Sequence, residues 1–232
     1  SSEVRCFEPT SHEAKVEVII SPGPRASWEV GSKQRTSEEG FGAGGNFRGM
    51  DNVINYIRDV MRCIDLGFRG FLIGDAGLLY IMNELRKAGK IPADVVFKVS
   101  VSVGAANPGN IKVLEDCGAA SINPVCDTTF PQLAAMRKVT NLPLDLHIIG
   151  FDTEGGINRM WDVGELARVG APIYFKVEPG TSFSQMYKPW QREFNDKFIR
   201  DKVSMARIIQ EIMKETNPDL ISSAHTCDDL RI

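Results

Sequence analysis

Apolar positions along this chain switch between two periods. Some stretches alternate at every second residue, as a strand does; others repeat every three or four, as a helix does. The pattern predicts strands over 15–21 ("KVEVIIS"), 70–75 ("GFLIGD"), 95–104 ("VVFKVSVSVG"), 121–127 ("SINPVCD"), 142–150 ("LPLDLHIIG"), 173–178 ("IYFKVE") and 221–227 ("ISSAHTC"). Helices are predicted over 49–67, 77–89, 107–118 and 130–140, within 158–170, and through about 184–216. In the second of these, Leu78, Leu79, Met82 and Leu85 fall on one face. Three helix-to-strand junctions share one design, in which the helix stops at Gly67, Gly118 or Gly170 and a strand follows. A glycine just past a helix end adopts a left-handed conformation that other residues resist, so that conformation is expected at all three.

Strands that alternate with helices build parallel sheets through right-handed crossovers. Two α/β folds fit: a TIM-like (β/α) barrel and an open doubly wound sheet. The polar positions separate them. Strands of an open sheet are covered on both faces and read as near-continuous apolar runs. Here Lys98, Ser100 and Ser102 alternate with valines, Asp145 and His147 with leucine and isoleucine, and Tyr174, Lys176 and Glu178 share one face. A barrel accounts for this, because one face of each strand meets helices and the other lines the interior. Such barrels usually take about 250 residues, and this chain has 232. The expectation is therefore one domain over 1–232, an incomplete or irregular barrel, with "VRCFEPT" (4–10) available as an eighth strand. The glycine-rich "GFGAGGNFRG" (40–49) predicts a mobile loop near 31–49.

Composition narrows the partners. Apolar residues make up 43% and charged residues 25%, which is ordinary for a globular protein with a sizeable core. A net charge of −3 without a basic stripe argues against nucleic-acid binding. No apolar run reaches membrane-span length and no signal-peptide pattern opens the chain, so a cytoplasmic protein is expected. Five scattered cysteines with no CxxC pair read as free thiols in a reducing compartment. No GxGxxG joins a strand to a helix, which argues against dinucleotide binding.

Active sites of such barrels lie at the C-terminal ends of the strands. Reading those ends selects Asp75, Asn107, Asn123, Cys126, Asp127, His147, Lys176, Glu178 and His225. Lys176, Glu178, His147 and Asp75 are the catalytic candidates; Asn107, Asn123, Ser100 and Ser102 are the substrate-binding ones. Simpler roles stand beside these. Asp75 before "AGLL" and Asp127 before "TTF" suit helix caps, Cys126 suits a small buried residue, and Lys176–Glu178 suits a structural ion pair. Three chemistries fit the set. His147, Glu178, His225 and Asp145 could hold a divalent metal such as Zn, Mn or Fe, since imidazole and carboxylate are its common ligands. Lys176 could form a Schiff base with a carbonyl substrate. His147 and Glu178 could act as acid and base without a metal.

The runs "LGFRGFLIGDAGLLYIMNEL", "FKVSVSVGAANPGNIKVLEDCGAASI" and "LPLDLHI" resemble the peptidase U32 family over roughly 50–150. The resemblance implies a TIM-like barrel. It also implies either a collagenase-like peptidase or an oxygen-independent hydroxylation factor acting on RNA or quinone precursors. In that family a cysteine set that holds an iron–sulfur cluster in the hydroxylation members follows the strand-end histidine. Here His147 is followed by "IIGFDTEGG", which argues against that cluster. The leading expectation is a barrel enzyme of lyase or isomerase type acting on a small polar metabolite through a divalent metal or Lys176. The alternatives are a U32-like hydrolase of peptides and a non-catalytic barrel subunit. A homo-oligomer is compatible with each.

Overall fold

The structure is a computed structural model and describes residues 17–22, 46–152, 155–180 and 192–223. These cluster into two compact units. One contains 17–22, 46–105, 109–123 and 222–223; the other contains 106–108 and the described part of 124–221.

In the first unit, four parallel strands follow one another in chain order: β1 (Ile19–Ile20), β2 (Gly70–Ile73), β3 (Val96–Val99) and β4 (Ser121–Ile122). Helix α1 (Gly49–Asp65) connects β1 to β2, α2 (Ala76–Lys87) connects β2 to β3, and α3 (Pro108–Asp116) precedes β4. Helix α1 buries Val53, Tyr56, Val60, Cys63 and Ile64, the three-to-four spacing of an inward stripe. The same unit also buries Phe71, Ile73, Leu79, Met82 and Phe97.

The second unit holds the parallel pair β5 (Leu144–Ile149) and β6 (Ile173–Val177). It also holds α4 (Phe130–Arg137), α5 (Val163–Gly170) and the long α6 (Arg192–Thr216). Helix α5 packs against both α4 and α6, and α6 against β6. Leu133, Met136, Leu144, Leu146, Ile148, Val163 and Leu166 form its core. Six parallel strands, each separated from the next by helix, make this an α/β fold of the (β/α)-barrel type, incomplete at six strands among the described residues.

Several boundaries differ from the sequence reading for local reasons. The alternation at 95–104 predicted one long strand, yet β3 stops at Val99. Ser100 then caps a short 3-10 turn, Val101–Val103. Its hydroxyl accepts from the Ser102 N–H, and Ser102 Oγ lies 3.1 Å from Ser100 Oγ. Local hydroxyl bonds of this kind compete with the ladder, so Ser102 is not on a strand face. β4 spans two residues rather than 121–127, because the backbone turns after Asn123 and Thr128 Oγ1 donates to the Val125 carbonyl at 2.6 Å. β1 is likewise two residues long. Residues 221–223, the start of the expected seventh strand, have no strand structure. The remainder of that segment, the 4–10 segment and the loop up to 45 lie outside the described residues. Among the described residues no helix is long and apolar enough to cross a membrane.

The junction glycines have two different causes. Gly67 and Gly118 adopt positive φ, 104° and 95°, as the helix-end rule requires. Gly170 does not; it is the last residue of α5. A Cβ there would come within 3.0 Å of Leu133 and Ile173 side-chain carbons. Close packing, not backbone conformation, selects glycine at 170.

Candidate active site

Parallel register sets the floor of the site. Leu144 pairs with Ile173, Asp145 with Tyr174, Leu146 with Phe175 and His147 with Lys176. The register then slips, and Ile149 rather than Ile148 pairs with Val177. Such irregularities re-aim side chains and are common beside active sites. Beyond the slip, the Glu178 N–H donates to the Ile149 carbonyl at 2.9 Å and the Asp152 N–H to the Gly180 carbonyl at 3.0 Å. Glu178 is thus held firmly just past the end of β6.

His147 is 1% exposed, and both of its ring nitrogens have partners. Nε2 lies 3.2 Å from Glu178 Oε2, and Nδ1 lies 3.4 Å from Cys126 Sγ. The three side chains form a row: thiol, imidazole, carboxylate. The Glu178 side chain is 15% exposed. Burial alone raises its pKa, but the hydrogen bond to His147 and the charges of Lys176, His147 and Lys202 outweigh this. The carboxyl is held below its ordinary value.

Cys126 sits on the turn after β4, and Arg159 fixes that turn. Arg159 Nη1 donates to the Thr128 carbonyl at 2.6 Å, while the Arg159 backbone N–H donates to the Ile148 carbonyl of β5 at 2.7 Å. One residue therefore ties the thiol-bearing turn to the histidine-bearing strand. The Arg159 guanidinium also lies over the Phe130 ring, 5.6 Å from its centroid.

Helix α6 contributes Phe198 and, one turn on, Lys202. Phe198 stacks on Phe151 with centroids 6.1 Å apart, and Lys202 Nζ lies 5.1 Å from the Phe198 centroid. Burial lowers the Lys202 pKa and the Lys176 charge adds to this, while Glu178 opposes it.

The structure brings His147 and Glu178 together and sets Lys176 beside His147 in register. Asp145 is 1% exposed and lies two residues ahead of His147 on β5. Asp75 has a different task. Its Oδ1 accepts from the Leu78 N–H at 2.8 Å and its Oδ2 from the Phe47 N–H at 2.9 Å, so its carboxylate caps α2. Ser100 and Ser102 bond each other in the turn after β3. Asn107 is exposed immediately before α3. Asn123 is fully buried after β4, its N–H donating to the Val99 carbonyl. Asp127 is exposed and caps nothing. Thr129 holds the N-cap of α4, with Gln132 Oε1 accepting from its N–H.

His225, one of the four expected metal ligands, lies outside the described residues. Among the described residues no group of three or more His, Cys, Asp and Glu side chains could hold a metal ion.

Sequence reasoning missed Lys202 and Arg159 and gave Cys126 a packing role. Lys202 had one available signal: Phe198 and Lys202 stand four apart on one long helix, so they share a face. Nothing local marks Arg159.

No protein-family model and no curated protein matches the chain. Solved structures do. It is 15% identical to the U32 peptidase Mk0906, with a TM-score of 0.39 over 65% of this chain and 53% of that one. It spans about half the length of that peptidase. The resemblance to U32 peptidases is weak and structural only. The YdjI aldolase from Escherichia coli K12 is 14% identical, with a TM-score of 0.43 over 93% of this chain and 86% of the aldolase.

Proposed function

We propose that the chain is a barrel enzyme that moves protons on a small, polar, carbonyl-bearing metabolite. His147 is the acid–base group and Glu178 orients its ring. Lys176 and Lys202 are the cations that meet the substrate's oxygens. The observation that carries this reading is the 3.2 Å contact between His147 Nε2 and Glu178 Oε2, placed where parallel strands end. An imidazole oriented by a carboxylate is a common acid–base arrangement, and such a group contributes about 10²–10⁴ in rate.

Solvent deuterium exchange into pyruvate and dihydroxyacetone, followed by proton NMR, tests it. The wild-type chain is expected to accelerate exchange in at least one of them, and Glu178→Gln to lose about a hundredfold of that acceleration. No acceleration by the wild type overturns the reading.

A second reading has one specific support. A lysine desolvated beside another cation is a Schiff-base former, and this describes Lys202: burial, with the Lys176 charge, lowers its pKa against the pull of Glu178. Borohydride reduction in the presence of pyruvate should trap an adduct on Lys202. An adduct on Lys176 instead, or none, rejects Lys202 as that amine.

A further inference from the structure

We infer that Cys126 is a nucleophile, and that the Cys126–His147–Glu178 row carries covalent acyl transfer on esters or amides of small carboxylic acids. The inference rests on the proton-transfer role proposed for His147 and Glu178, and it names the substrate class of the same site.

Three observations converge. Sγ and the carboxylate face opposite nitrogens of one imidazole, at 3.4 and 3.2 Å. The thiol and the carboxylate are both half-buried while the imidazole between them is buried, so the residue that bears the sulfur is open to an incoming molecule where the imidazole is not. Its turn is fixed by the Arg159 bond to the Thr128 carbonyl and by the Thr128 bond to Val125, so the alignment is built into the backbone. A nucleophile, a base within hydrogen-bond reach and a third group that orients the base make up the arrangement covalent catalysis requires. Cys63 lacks these conditions: it is buried, and burial, with the Asp59 charge, pushes its thiol up.

The step balances without a co-reactant other than water. The Cys126 thiol proton passes to His147 Nδ1, while Nε2–H is donated to Glu178. The sulfur attacks the carbonyl carbon, and the bond from that carbon to the ester oxygen or amide nitrogen breaks. The leaving group takes the proton from Nδ1 and departs as alcohol or amine, leaving a thioester on Cys126. Water then adds to the same carbon and gives a proton to Nδ1. The carbon–sulfur bond breaks, the sulfur takes that proton back, and the free acid is released.

The test uses the full chain, with p-nitrophenyl acetate and iodoacetamide as probes and peptide mapping by mass spectrometry as the readout. Cys117 is half-buried like Cys126, so it controls for exposure. Acid-quenched samples are expected to carry one acetyl group on Cys126 after a burst of p-nitrophenolate, and Cys126→Ser should abolish that burst. Iodoacetamide is expected to alkylate Cys126 at least about tenfold faster than Cys117, since an unactivated thiol is only a few per cent thiolate at neutral pH. Glu178→Gln, checked for folding by circular dichroism, should bring the two rates together. Alkylation of Cys126 no faster than Cys117, or acetyl groups found only elsewhere, overturns the inference. If deuterium exchange into the carbonyl probes persists alongside an unreactive Cys126, the proton-transfer reading stands and the thiol inference falls alone. Fast alkylation of Cys126 that Glu178→Gln leaves unchanged overturns the row itself.

Discussion

Glu178 collects opposing influences that can be separated by substitution. Burial pushes its carboxyl up; the His147 bond and the Lys176, His147 and Lys202 charges pull it down further. Removing one cation leaves burial less opposed. Lys176→Met and Lys202→Met are each expected to raise the Glu178 pKa towards the ordinary value, the first more than the second. Carbon NMR of the labelled carboxyl in each variant checks this; an unchanged value in both would remove the lysines from the site's electrostatics. Arg159 is the other residue whose loss should spread. Without its guanidinium the Thr128 carbonyl loses its 2.6 Å donor. Arg159→Ala is expected to cost about 1–3 kcal/mol in urea unfolding and to slow Cys126 alkylation. These contacts were not legible in the chain as text. Cys126 and His147 are 21 residues apart, and no local spacing announces that they meet. His147 and Glu178 were legible, because both interrupt apolar strands near their C-terminal ends.

At the scale of elements, alternation is readable where burial imposes it and misleading where side chains bond locally. β5 shows the first case, since all six of its residues are buried and its polar pair stood out from sequence. Ser100 and Ser102 show the second: they mimic a strand's alternation while closing a turn. Gly170 is a third case, a true helix end chosen for packing. Gly170→Ala is expected to destabilise by about 1–3 kcal/mol through overpacking against Leu133 and Ile173, measured as a lower urea midpoint with an unchanged slope. Helix α6 makes its own contribution through the Phe198–Phe151 stack. Phe198→Ala should cost about 3 kcal/mol or more and should release Lys202 from its place beside the ring.

For the whole molecule, acid is the expected weak point. A carboxyl whose folded pKa lies below its unfolded value, about 4.3, contributes stability that is present above that value. The contribution is lost as pH falls through the folded value. Glu178 is such a group. Unfolding free energy should therefore decline on acidification below the ordinary carboxylate range, and Glu178→Gln should flatten that decline. Equal slopes in both proteins would assign the acid sensitivity to other groups. The order of strands and helices was readable across most of the chain because each strand carries enough apolar residues to need a covering helix. The short strand β4 was overextended because Pro124, Val125 and Cys126 continue the apolar run past its last residue, Ile122.

The slip in β5 also decides what stands abreast of Glu178. In an even ladder, with His147 opposite Lys176, Ile148 would face Val177 and Ile149 would face Glu178. The extra residue shifts Ile149 back to Val177, so the next position in line with Glu178 is Gly150. A branched hydrocarbon is exchanged for bare backbone in line with the residue that carries the carboxylate. Ile148 thus acts as a spacer that changes the phase of the strand by one. Gly150→Val would put branched bulk back in line with Glu178. Such a variant should still fold, because a Cβ at 150 would meet only Ile157 at an ordinary 3.9 Å, yet its Glu178 pKa should rise as the His147 contact opens, a change that carboxyl NMR would register directly.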